Sequence, residues 1–142
     1  MDELLPSIKP KIIELLDLDD DSFEDVFEKS HKIKISAGET LFNEGKYNDN
    51  VYIIASGIAE VFKEDSLINI VDPGSMLGEM SLVGVDRSTA TVIAKTDMVL
   101  YKFKKYRFEV LLNKYPKLNQ AIVMLTISRK IQQHDVTPKV RA

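Results

Sequence analysis

The sequence predicts a mainly β domain flanked by helices, with its strands in a sandwich or jelly roll. Three observations lead there. Between His31 and Phe103, apolar residues recur at every second position in short runs, the period of a half-buried strand. Gly38, Gly45, Gly57 and the Pro73-Gly74 pair punctuate those runs at close intervals, which suits antiparallel connections better than a parallel sheet. On both sides of this region the apolar spacing changes to three and four, the helical period.

The first 30 residues read as a helical segment. Pro6 and Pro10 limit a helix before Lys11, while Ile12, Ile13, Leu15 and Leu16 suit a short amphipathic helix after it. Asp19, Asp20 and Asp21 are candidate caps at the positive end of the next helix. Ser22-Phe23-Glu24-Asp25 has the order of a capping box, and Phe23, Val26 and Phe27 make an apolar face. The β region spans 31–104, with strands near 31–35, 41–43, 51–56, 58–63, 66–71, 89–95 and 97–103. Two C-terminal helices occupy 105–134. In the first, Tyr106, Val110, Leu111 and Lys114 share a stripe, which Phe108, Leu112 and Tyr115 broaden. Pro116 separates it from the second, where proline fits the first turn. Residues 121–127 are apolar almost all round, so this helix must bury more than one face. Leu118, Ile122 and Leu125 are the expected contacts of a homodimer or partner protein using 116–133. Residues 135–142, with Thr137-Pro138, read as a tail.

Composition bounds the function. One domain with a real core fits in 142 residues. There is no cysteine, so thiol catalysis and thiolate metal sites are excluded. The two histidines, His31 and His134, are far apart, which argues against a metal-dependent β-roll enzyme of the cupin type. No Ser-His-Asp arrangement or phosphate-binding P-loop stands out. We expect no catalytic residue, no metal, no cofactor, no membrane span and no direct DNA binding. No secretory signal opens the chain, which favours the cytoplasm. The net charge of −3 hides a polarity: residues 1–30 hold ten acids and three bases, residues 101–142 ten bases and two acids. The two ends are either solvated and mutually attracted, or the basic one is a surface that docks on a partner, an acidic lipid or a nucleic acid.

The most informative stretch is Leu77-Gly78-Glu79-Met80-Ser81-Leu82, followed by Arg87-Ser88-Thr89-Ala90-Thr91-Val92. Its composition suits a pocket for a small phosphorylated sugar. A carboxylate accepts from ribose hydroxyls, amides at a short helix start face phosphate oxygens, and arginine supplies a fixed donor fork. The same residues resemble the cyclic nucleotide-binding domain family, of the catabolite activator and cAMP-dependent kinase regulatory type. Its phosphate-binding cassette corresponds to 77–92. Upstream marks are Ala37-Gly38-Glu39-Thr40-Leu41, Glu44-Gly45 and the run 49–57. The resemblance covers roughly 23 to 131.

That resemblance implies an eight-stranded antiparallel β-roll between N-terminal helices and two C-terminal helices. It implies that Glu79 binds the ribose 2′-hydroxyl beside Gly78, that Met80 and Ser81 offer amides to the cyclic phosphate, and that an arginine pairs with it. Here the chain departs from the pattern. Counting back from Val92, the family's arginine position holds Ser88, and Arg87 sits one place earlier. In a regular strand that offset turns Arg87 away from the pocket; a bulge at Ser88-Thr89 restores it. Ser88 and Thr89 are then auxiliary donors. Val61 and Ile70 are candidate base contacts, and Ile127 or Ile131 candidate covers.

The reading is a non-enzymatic regulatory domain that senses cAMP or cGMP and relays binding through its C-terminal helices. Its alternative is a degenerate relative that has lost the ligand and serves as an interaction module. No helix-turn-helix follows, so the domain is expected to act through a partner or within a longer protein.

Overall fold

A computed structural model describes the backbone of residues 4–141 and the side chains of 4–130. Four α-helices and eight strands follow one another, all but one short strand in the order predicted. They are α1 (Leu4–Leu16), α2 (Asp20–Glu28), β1 (His31–Ile35), β2 (Thr40–Phe42), β3 (Asn50–Ser56), β4 (Ala59–Lys63), β5 (Ser66–Val71), β6 (Met76–Leu77), β7 (Thr91–Ala94), β8 (Met98–Lys104), α3 (Lys105–Lys114) and α4 (Pro116–Arg141). A short 3-10 helix, Glu79–Val83, lies between β6 and β7. The strands form two antiparallel four-stranded sheets, ordered β1-β8-β3-β6 and β2-β7-β4-β5.

Alternation along the strands sends side chains to two cores. Between the sheets, Phe42, Tyr52, Ile54, Val61, Leu77, Val92 and Leu100 pack together. On the other face of the first sheet, Val51, Ile53, Tyr101 and Phe103 meet the helices. Phe103 makes edge contacts with Phe27 of α2 and Phe108 of α3. The helices therefore lie on one sheet only, and the second sheet closes the roll. Glu64 and Asp65 both take the left-handed conformation at the β4–β5 hairpin, the geometry of a tight two-residue turn.

Several local expectations need correction. Helix α1 begins at Leu4 and passes through Pro10. A proline removes one helical bond and here falls in a short helix held by burial of Ile8, Ile12 and Leu16 at spacings of four. The capping box of α2 is Asp19…Ser22: Asp19 Oδ1 accepts from Ser22 N–H at 2.8 Å, and Ser22 Oγ accepts from Asp19 N–H at 2.9 Å. In α3 the buried residues are Phe108 and Leu111, with Leu112 and Tyr115 packed beside them. Tyr106 and Val110 face outward at 61% and 62% exposure. The 135–142 tail is helical in its backbone as far as Arg141; again a single proline, Pro138, does not end the helix.

Leu118 and Ile122, expected to meet a partner, are fully buried in the chain's own core, and Leu125 packs against it. Among the described side chains of α4, the exposed large apolar residues are Val123, Met124 and Ile127. Strand β6 has no counterpart in the sequence reading, because two residues carry no period. Its pairing with Tyr52 and Ile53 of β3 defines it.

Candidate functional site

Strand β6 delivers the chain to the open end of the inter-sheet core, where the 3-10 helix begins. Gly78 and Gly84 flank that helix, both left-handed, at φ 81° and 90°. Gly78 is irreplaceable on geometry. A Cβ there would lie 2.5 Å from the Asn50 carbonyl oxygen and 3.1 Å from both Asn48 Nδ2 and Phe42 Cζ. Asn48 holds this corner, accepting from Asn50 N–H and donating to Asn50 O.

The result is a small, partly open cavity of about 60 Å3. Gly78, Glu79, Met80, Ser81, Arg87, Ser88 and Thr89 all line it. The seven residues of the expected ribose-phosphate set thus meet at one cavity. Phe42, Val61, Leu77 and Val92 supply its apolar wall. Ile70 does not line it and is half exposed.

Glu79 is the chemical centre. It is only 2% exposed, and its Oε1 has no hydrogen-bond partner. Burial pushes its carboxyl above the ordinary carboxylate range, against the opposing pull of Arg129 and its own backbone amide. Ser81 is equally buried, and its N–H and Oγ both donate to Gly78 O, at 3.3 and 2.8 Å. That amide is engaged within the turn, where an outward-facing donor was expected.

Arg87 takes neither of the two anticipated arrangements. Strand β7 starts at Thr91, so strict alternation does not govern residues 87–90. Arg87 instead bridges to Tyr47 through its backbone. Gly45 N–H donates to Ser88 O, Ser88 N–H to Lys46 O and Asn48 N–H to Asp86 O. The guanidinium donates from Nη1 to Gly45 O at 3.0 Å while remaining at the cavity rim.

Sequence reasoning missed Arg129. From α4 its Nη1 stands 3.5 Å from Glu79 Oε1, and its Nη2 donates to Met76 O at 2.9 Å. It lines the cavity too. The signal lay in the helical period: Leu118, Ile122, Leu125 and Arg129 follow at four, three and four, so Arg129 continues the buried stripe. Ile127, a candidate cover, is nearly half exposed and does not line the cavity. Ile131 lies outside the described side chains.

A cavity with this cassette and buried acid has clear relatives. The family model for the cyclic nucleotide-binding domain matches residues 32–115, more than half of the chain. The chain belongs to this family. Among curated relatives, the cAMP-dependent protein kinase regulatory subunit of Yarrowia lipolytica (strain CLIB 122 / E 150) is 30% identical over 95 residues. That match covers 67% of this chain and 25% of the Yarrowia protein. Among solved structures, PKAR CBD2 with Sp-2Cl-cAMPS bound superposes with a TM-score of 0.81 at 20% identity, covering 95% of this chain and 88% of that one. The catabolite activator protein of Thermus thermophilus gives 0.78 at 18% identity, with 92% and 62% covered. The β-roll with flanking helices expected from the sequence is therefore the observed fold. Among the described residues no group of three or more metal-ligating side chains gathers, and no helix is long and apolar enough to cross a membrane.

Proposed function

We propose that this cyclic nucleotide-binding domain takes a 3′,5′-cyclic nucleotide into the cassette cavity and reports it through α4. The carrying observation is the buried Glu79 Oε1, which lines the cavity without a hydrogen-bond partner. Its contact with Arg129 is an ion pair at 3.5 Å rather than a hydrogen bond; a buried acceptor without a hydrogen bond is costly, and a ribose hydroxyl is a donor that relieves it. In this reading Glu79 takes the 2′-hydroxyl, and Gly78 allows the sugar close approach. Met80 offers its amide to the phosphate, Ser81 shapes the turn through its two bonds to Gly78 O, and Ser88 and Thr89 are hydroxyl donors. The kinase regulatory relatives make cAMP the first ligand to test, with cGMP the alternative. Calorimetric titration with cAMP, cGMP and a cyclic dinucleotide is the direct experiment. No heat of binding at millimolar ligand would overturn the sensor reading and leave an interaction module in its place.

Arg87 is the phosphate's charge partner in this reading. Its exposed guanidinium needs only to exchange the Gly45 carbonyl for phosphate oxygens. Arg87→Lys is expected to lose about 1.5–3 kcal/mol of binding, the scale of a hydrogen bond to a charged group, because the two-pronged fork is lost. Unchanged affinity in that variant would assign the phosphate to backbone and hydroxyl donors alone.

Arg129 supplies the relay. It joins α4 to both Met76 O and Glu79, so a ligand that engages Glu79 acts on the contact holding α4. A relay requires that ligand favour one placement of α4 over another. Hydrogen exchange of α4 amides is expected to change on nucleotide addition in the wild type and to change much less in Arg129→Met. An identical response in both proteins would remove Arg129 from the relay.

A further inference from the structure

Away from the cassette, the ends of α2 and β8 and the starts of β1 and α3 meet around a surface cleft of about 200 Å3. Lys29, His31, Lys104 and Arg107 line it, with Tyr106 and a single acid, Glu28. It shares no residue with the nucleotide cavity. Two sequence runs, 29–34 and 102–107, build the surrounding surface, and neither contains an acid. The β1–β8 ladder brings them together, with His31 opposite Lys102 and Lys34 opposite Val99.

Only Lys29 spends part of its charge on the fold, helping at a distance to hold the Asp25 carboxyl below its ordinary range. Among the described residues, Lys29, Lys104 and Arg107 make no ion pair within 4.0 Å. Asp25, the neighbouring acid on α2, is taken by Lys114 Nζ at 2.6 Å and by the Tyr115 hydroxyl. Gathering three cations around a single acid, Glu28, costs folding free energy through mutual repulsion. A bound polyanion reverses that cost. Beside the cleft, Tyr106 and Val110 stand exposed one turn apart on α3, and the Arg107 guanidinium lies over the Tyr106 ring at 5.9 Å.

We propose that this cleft seats the phosphorylated headgroup of an anionic lipid, with Tyr106 and Val110 entering the membrane boundary beside it. Convergence on one concavity fits a phosphomonoester, which carries nearly two charges and three acceptor oxygens, better than a row of single carboxylates. Exposed apolar residues among the cations fit a membrane interface, where cationic and apolar contacts act together.

The test is co-sedimentation of the full chain with phosphatidylcholine vesicles at physiological salt. One set carries phosphatidylinositol 4,5-bisphosphate, another phosphatidylserine at matched total charge, and a third neither. Binding is expected with the phosphoinositide and at least several-fold weaker with phosphatidylserine. Lys104→Ala combined with Arg107→Ala should lower vesicle affinity by about thirtyfold, at roughly 1 kcal/mol per charge. Tyr106→Ser should weaken vesicle binding while leaving binding of soluble inositol trisphosphate unchanged. All these residues are exposed, and an unaltered melting temperature verifies the fold. Failure to sediment with phosphoinositide vesicles overturns the proposal, including the case where only inositol trisphosphate or a phosphopeptide binds. Equal binding to phosphatidylserine at matched charge overturns the headgroup site.

Discussion

Gly78→Ala is expected to destabilise the domain by about 2–5 kcal/mol, combining a left-handed backbone with an overpacked contact. The obstacle is backbone. The added Cβ would meet the Asn50 carbonyl oxygen at 2.5 Å, and Asn50 lies in β3, paired with Lys104 of β8. Neither strand can shift without disturbing the first sheet. Relief must come from the cassette, which moves Glu79 and the cavity wall, so nucleotide binding falls with stability. Gly84→Ala is the control at the other end of the same 3-10 helix. Gly84 is also left-handed, but nothing lies within 4 Å of its Cβ position. Only the conformational cost of about 1–2 kcal/mol applies there. Urea denaturation of both variants separates the two contributions. Equal losses would show that close approach at Gly78 contributes nothing.

The contrast between these glycines marks what a sequence displays. Gly78, Glu79 and the following small residues were legible as a cassette because they lie within one short segment. The strands were legible because Val51, Ile53 and Ala55 alternate with Tyr52 and Ile54, and both sets are buried, each against a different layer. Boundaries moved by a residue or two, as pairing decides where a strand ends. What escaped depends on contacts between distant residues. Strand β6 exists through its partner 25 positions earlier, Tyr52 opposite Leu77. Arg129 meets a carboxylate 50 positions earlier only because α4 packs against the cassette helix. The apolar girth of α4 was visible, but not which face the chain's own core would use. Leu118 and Ile122 go to that core. The Arg87 offset looked decisive under strand geometry and lost its force once β7 proved to begin at Thr91.

Glu79→Ala should weaken cyclic nucleotide binding by about 1.5–3 kcal/mol, roughly ten- to a hundredfold, as a hydrogen bond to a charged acceptor is lost. Glu79→Gln, which keeps one acceptor, should lose less. The same change should raise the melting temperature of the ligand-free protein at neutral pH. Burial lifts the carboxyl above its ordinary 4.5, and Arg129 offsets that only in part. In the unfolded chain the group titrates near 4.5. At pH above its raised folded value, ionised Glu79 therefore subtracts from stability. As pH falls through that value the folded state takes up the proton first, and the penalty disappears by about 4.5. The surface carboxylates run the other way. Asp25 is held below 3.8 chiefly by Lys114, and Asp72 chiefly by Lys11. Their stabilisation persists until pH drops below 3.8 and is lost through their lowered values. Between the raised Glu79 value and 4.5, the wild type should gain stability on acidification while its nucleotide affinity declines, since the ionised acceptor is disappearing. Glu79→Gln should show neither trend. Thermal melts and titrations across this window measure both. A wild-type affinity that stays flat with pH, together with a Glu79→Gln variant that melts below wild type at neutral pH, would mean that Glu79 is a structural ion-pair partner of Arg129 rather than the ribose acceptor.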